Sequence, residues 1–508
     1  MKKILLSAVA ICAAAAAGGY YLAVEKFATE AEYFKESLAT SEVFKTKAIS
    51  IDKHKFQIVL DGVSINLEKP LSLLQLNEEE GEVKLDGIQL DIHAPLKLQY
   101  TPIFNKLTLL TPATHYEITG LIADKPLTIE VEGDTGTTVF NLSHIPSLKD
   151  KSLYDFMVEY ADKISFSSGH YTWKNKGAER LLGSIDQSHI LLTSEKSAAG
   201  KKVTYDYDTK GIQVDMGEIF KFIASLMPKE PNVPNLSNFY APITGFTDAK
   251  RDIKGQVSFD GDISQIIASL KTIRASQGQV GDLFQSFKGS TVEATSEDLM
   301  LGSKLNTEIK LKLPKAGEDT DAELKYRVDG EVSPQLQAVW PKAIFQRFKS
   351  IKSDIDLTEE AFHALTPNLA ALGKIVMDLD AKGNFEKKLG TAKVEVSTTD
   401  YGVYANANVG QDNMVINVKV KNYDALLREL QTYLQKIVDH PEMVKNFTPE
   451  QKAQIPTYSE LAKATLKSMG KEEIIDGKPS IVIEQTIPTA LLGLMGGGVP
   501  TASTKRNN

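Results

Sequence analysis

The sequence predicts an α+β, β-rich protein: an N-terminal transmembrane helix followed by curved antiparallel sheets with amphipathic helices packed on them. Three observations predict it. An uncharged run from Ile4 to Val24 follows Lys2 and Lys3; apolar residues recur at every second position over much of the remainder; and several of these runs pass through a polar cap into a stretch with helical apolar spacing.

The first run is 21 residues long, enough to cross a bilayer as a helix, which takes about 20 residues at 1.5 Å each. Lys2 and Lys3 on the short side favour an N-terminus kept in the cytoplasm, with Glu25, Glu30 and Glu32 on the far side. A single-pass membrane protein with its bulk translocated out of the cytoplasm is the expectation. Its rival is a cleaved signal peptide that releases the translocated chain, since Ala15-Ala16-Ala17 offers small residues in the required pattern. The only cysteine, Cys12, lies inside the apolar run, so the exported part has no disulfide chemistry. Val9-Ala10-Ile11-Cys12 resembles a lipid-attachment box, with Ile11 where a small residue is usual.

Strand patterning starts with Phe56, Ile58 and Leu60, then Gly62 followed by Val63, Ile65 and Leu67. It returns as Gly87 before Ile88, Leu90 and Ile92, and as Gly211 before Ile212, Val214 and Met216. Such alternation marks strands buried on one face. Further strands are expected at Leu127 to Val131, Ile164 to Trp173, Val203 to Tyr207, Thr307 to Leu313, Ala322 to Val328, Lys393 to Ser397, Met414 to Val420 and Ser480 to Gln485. Many short strands with Gly, Asn and Asp turns imply antiparallel meanders.

The strand-to-helix phrase occurs where Gln256 to Phe259 leads through Asp260-Gly261-Asp262 into Ile263, Ile266, Ile267, Leu270 and Ile273. It recurs where Ile416 to Val420 leads through Asn422 and Asp424 into Leu426, Leu427, Leu430, Leu434 and Val438. Looser copies begin at Val214 and Val332. Spacing of three and four gives each helix one apolar stripe, and Asp or Asn at the start accepts first-turn amides. Pro228, Pro231, Pro234 and Pro242 mark a junction, and Thr448-Pro449-Glu450-Gln451 is a capping box. The expected organisation is an anchor at 1–26, a β-rich region at 27–245, a second β-rich region with strand-to-helix units at 246–490, and a disordered tail at 491–508.

The Lys-Lys-led apolar anchor, the glycine-led alternating strands and the strand-cap-helix phrase from Gly255 to Ile273 together resemble the membrane-anchored periplasmic proteins of Gram-negative bacteria of the AsmA-like and YdgA-like kinds. The resemblance implies β-rich periplasmic domains and, for the AsmA-like kind, an apolar groove that handles envelope lipid. It brings no catalytic residues with it.

The chain carries little that points to catalysis. A net charge of −8 argues against nucleic acid as a partner. None of the 8 histidines forms a ligand pair in sequence. Asp378-Leu379-Asp380-Ala381-Lys382-Gly383-Asn384 resembles the opening of a calcium loop, but with Lys382 in the middle it reads better as a turn after a strand. Gly496-Gly497-Gly498 is followed by Val499-Pro500, so it opens no phosphate-binding helix. Trp173 and Trp340 read as core residues. No cofactor, metal or catalytic residue is therefore expected, and the chain is expected not to be an enzyme. The expected role is envelope organisation, with lipid or another apolar ligand held on a sheet face carrying Ile88, Leu90, Ile92, Ile212 and Val214. The alternative is an adaptor that binds another envelope protein. The bilayer itself is the expected constant partner.

Overall fold

The computed structural model describes residues 2–41, 43–67, 85–122, 125–142, 161–215, 218–219, 249–262, 288–315, 321–351, 358–384, 387 and 389–488. They form two compact units, Met1–Ser197 with Lys201–Gln256, and Ala198–Gly200 with Val257–Asn508.

The first unit opens with helix α1 (Lys2–Ala39). The strands that follow are β1 (Phe44–Lys45), β2 (Ala48–Asp52), β3 (Gln57–Asp61), β4 (Val63–Asn66), β5 (Leu85–Ile92), β6 (Leu96–Thr101), β7 (Lys106–Thr111) and β8 (Thr114–Ile122). After them come β9 (Lys125–Gly133), β10 (Gly136–Leu142), β11 (Ala161–Ser168), β12 (Tyr171–Asn175), β13 (Gly183–Ile185), β14 (Gln187–Ser197) and β15 (Gly200–Val214). One antiparallel array runs β1-β4-β5-β8-β9-β12-β13-β15. The other runs β2-β3-β6-β7-β10-β11-β14.

Consecutive strands repeatedly change array across a corner of one to three residues. Gly62 separates β3 from β4, Gly169 and His170 separate β11 from β12, and Asp186 alone separates β13 from β14. Each such pair is one long strand folded in two, so Ile164 to Trp173, which alternates like a single strand, is bent at its middle. Gly62 turns its corner at φ +59, a left-handed conformation that costs glycine little. Corners are also tied to their neighbours: the Asp134 amide donates to the His170 carbonyl at 2.9 Å, and the His170 amide donates to Asp134 Oδ2 at 3.0 Å.

The second half of α1 packs against both arrays. Ala31 is buried with Ile58, Leu60 and Leu96 of one array and Val63, Ile92 and Tyr116 of the other, with Phe27, Phe34 and Leu38 beside it. Two turns back, Val24 is buried with Phe56, Tyr100 and Leu142. Among the described residues no helix is long and apolar enough to cross a membrane; the side chains of residues 1–19, which carry most of the Ile4 to Val24 run, lie outside the described set.

Strand β16 (Arg251–Gly261) crosses the boundary of the units. The second unit then holds β17 (Thr291–Met300), β18 (Ser303–Lys312), β19 (Ala322–Glu331), helices α2 (Pro334–Ile351) and α3 (Glu359–Leu365), β20 (Lys374–Asn384), β21 (Leu389–Ser397), β22 (Gly402–Val409) and β23 (Asn413–Lys421). It closes with α4 (Tyr423–Asp439), α5 (Pro449–Met469), β24 (Lys471–Ile475) and β25 (Lys478–Pro488). The sheet is an antiparallel meander from β17 to β23, continued by β25 and β24.

Two expectations are corrected. Asp378 to Asn384 is no turn but the second half of β20, because cross-strand partners hold its charges in the ladder: Arg327 donates to Asp378 at 3.0 Å and Lys382 to Glu323 at 3.3 Å. Asn422 does not cap α4 through its side chain. It adopts φ +50 and donates from Nδ2 to the Asp400 carbonyl at 2.9 Å. The Thr448 capping box forms as expected, with both reciprocal bonds in place. The expected helix at Ile263 to Ile273, the proline-rich junction and the tail at 491–508 lie outside the described residues.

Candidate functional site: an open apolar sheet face

Strand alternation sorts the second unit's sheet into two unlike faces. Residues directly opposite across a ladder share a face, so pairing carries each row from strand to strand. One row runs Thr307, Val328, Met377, Val396, Val403, Val420 and Ile481; the next runs Ile309, Tyr326, Leu379, Val394, Ala405, Val418 and Ile483. A third runs Leu311, Leu324, Ala381, Ala392, Ala407 and Ile416. This face is apolar almost throughout.

The opposite face is a lattice of ion pairs. Lys310 reaches Glu293 at 2.9 Å, Lys325 reaches Glu308 at 2.7 Å, Arg327 bridges Asp378 and Asp329, and Lys374 reaches Asp329 at 2.9 Å. Exposed pairs of this kind are worth little individually, but they fix register, since a slip of one residue would turn the charges onto the apolar side. The Lys374 ammonium, aided by the Asn306 amide and the Arg327 guanidinium and opposed by burial, holds the Asp329 carboxyl below its ordinary range. A carboxyl depressed in the folded state contributes stability that is present above its unfolded value of about 3.9 and lost as pH falls through the lower folded value. In urea titrations of the full chain over that acid window, the wild type should therefore lose stability more steeply than Asp329→Asn. Parallel curves would show that Asp329 contributes nothing to the acid limb.

Coverage of the apolar face is uneven. Over β23 and β25 it is sealed by α4 and α5: Val420, Ile481 and Ile483 are buried with Tyr423 and Leu427, and Leu426, Ala462 and Leu466 pack around them. Farther along, the same face emerges. Leu305, Leu324, Tyr326, Met377, Val394, Val396 and Val403 are all exposed, Met377 by 50% and Val396 by 47%. These seven positions span β18 to β22, four strand spacings or about 19 Å. A contiguous apolar area of this kind, on a sheet whose reverse side is largely charged and polar, makes this face the candidate binding surface.

The residues singled out from sequence lie in the first unit. Ile92 is buried beneath α1 with Ala31, and Leu90 packs on the same cluster. Ile88 is buried as well, its Cδ1 set where a side chain at Gly120 would stand. Ile212 and Val214 are half-buried on β15, Val214 opposite Gly183. The five are not brought together: Leu90 and Ile92 belong to the helix-covered cluster, Ile88 packs against Gly120, and Ile212 and Val214 lie on the last strand of the array. The open face of the second unit was visible in the sequence as strands, yet alternation alone does not say whether an apolar face is covered. Among the described residues, no three His, Cys, Asp or Glu side chains are grouped as a metal ion requires. No family model, curated protein or solved structure matches this chain.

Proposed function

We propose that this protein is a non-catalytic, membrane-anchored protein of the bacterial envelope that holds the acyl chain of a lipid on the open apolar face of its second unit. The observation that carries this reading is the run of seven exposed apolar side chains from Leu305 to Val403. The area favours a chain-like ligand over a protein. Four strand spacings by the four side-chain rows that these residues occupy give roughly 400 Å², under the roughly 800 Å² that each partner of a stable protein complex buries. A methylene laid on such a face contributes about 0.8 kcal/mol, so a lipid tail has enough to gain. The Ile4 to Val24 run supports placement at the inner membrane, with the bulk of the chain in the periplasm.

The test is lipid content. The full chain, purified in mild detergent and extracted, is expected to carry phospholipid or take up a fluorescent acyl probe, and Val396→Asp is expected to lose it while keeping its circular dichroism spectrum. Val396 is exposed, so the substitution leaves the fold standing. Equal probe binding by both proteins would overturn the reading and leave the adaptor role ahead.

A further inference from the structure

We propose that the end of the first unit from which α1 emerges is a second membrane contact, in which Ile103 and Phe104 enter the headgroup layer of a phospholipid bilayer. The proposal rests on the reading that the Ile4 to Val24 run spans that bilayer.

The turn between β6 and β7, Pro102–Phe104, carries two adjacent, strongly exposed apolar residues: Ile103 is 87% exposed and Phe104 67%. The turn is firmly built. Asn105 takes φ +49, accepts a bond from the Tyr100 hydroxyl at 2.7 Å and donates to the Leu142 carbonyl at 2.9 Å. Two adjacent apolar side chains held outward on a braced turn lower the entropy cost of inserting them.

A chain of ring contacts ties this turn to the helix. Tyr100 stacks on Phe27 with ring centres 6.2 Å apart and meets Phe56 at 6.4 Å, and Phe56 meets Tyr20 at 5.7 Å. The Tyr20 hydroxyl donates to the His54 carbonyl at 3.0 Å. The helix therefore leaves the unit at Tyr20 to Val24, where Val24 is buried while Tyr20, Tyr21 and Leu22 are exposed. With about 20 residues spanning the hydrocarbon layer, those tyrosines fall at the depth of the aromatic belt. The Lys53 to Phe56 turn and the Ile103–Phe104 turn share that end of the unit.

Charge fits the same partner. Lys53 and Lys55 are paired with Glu25 and Asp52 at 3.4 and 3.3 Å, so they add little net attraction. Lys106 lies with its ammonium 5.7 Å from the centre of the Phe104 ring, placing one cation where it can reach phosphate while the ring goes deeper. An apolar tip beside a basic residue is the pattern of an interfacial contact.

The test uses the full chain with Cys12→Ala and Phe104→Cys, the new thiol carrying an environment-sensitive dye, in vesicles of phosphatidylcholine and phosphatidylglycerol containing spin-labelled lipid. Asp412→Cys, in the turn after β22 of the second unit, is the control. Resistance to alkaline carbonate extraction is scored on the same samples. The expected result is a carbonate-resistant chain whose dye is blue-shifted and quenched by the lipid label at 104 and neither at 412. A carbonate-resistant chain with a water-exposed dye at 104 overturns this contact and leaves the anchor intact. A chain released by carbonate overturns the anchor, and this proposal with it.

Discussion

Replacing Tyr423 with alanine is expected to cost the second unit about 3–5 kcal/mol, the range for deleting a fully buried aromatic ring. Tyr423 is 0% exposed at the first turn of α4 and sits in the cluster that joins this helix to Val420 and Ile481 of the sheet. Its ring also lies under two ammonium groups from α5, Lys463 and Lys467, each 5.9 Å from its centre. Its hydroxyl donates to Glu472 of β24, and burial, with that bond, raises its pKa. Four elements thus meet on one side chain. Tyr423→Phe removes only the hydroxyl contact and should cost about 1 kcal/mol. Urea unfolding of the two variants separates ring from hydroxyl; equal losses would show that the ring is dispensable.

Ala31→Asp is expected to release α1 from the first unit. Ala31 is 2% exposed and faces apolar side chains from both arrays. A carboxylate forced into that cluster exchanges water for an apolar surround, which costs several kcal/mol. The sheet would then lose the cover over Ile58, Leu60 and Ile92. The expected readout is strong binding of a hydrophobic dye and rapid proteolysis after Lys26 or Lys35, both on the described part of the helix. Ala31→Ser, nearly isosteric, serves as control. A variant as protease-resistant as wild type would mean that α1 is not seated as described.

Much of the strand content was legible because side-chain period two is a direct imprint of a one-sided sheet. Gly62, Gly87 and Gly211, which lead three of the alternating runs, all take positive φ: a corner at Gly62, a register shift at Gly87 and a kink within β15 at Gly211. The stripe from Leu426 to Val438 was likewise legible as a helix. Strand β22 was not read, because Ala405, Asn406, Ala407 and Asn408 have poor strand propensity; ladders with β21 and β23 on either side override it. The seat of α1 was hidden for another reason. Charges begin at Glu25 and leave Phe27, Ala31, Phe34 and Leu38 as an apolar stripe, and such a stripe says that a helix is covered on one side without saying by which strands. Exposure of Met377 and Val396 was illegible in principle, since it depends on where α4 and α5 end.

Folding a strand in two has a consequence for how the first unit assembles. Every folded strand pairs along both halves with the ones just before and just after it in the chain, so few contacts in its arrays join distant parts of the sequence. Low contact order of this kind favours rapid growth. The unit can form progressively, each new hairpin zipping onto the edge left by the last, in the order in which the polypeptide is delivered. As in other arrays built from nearest-neighbour interfaces, gaining or losing one folded hairpin over evolutionary time would alter the length of the unit and leave its plan unchanged.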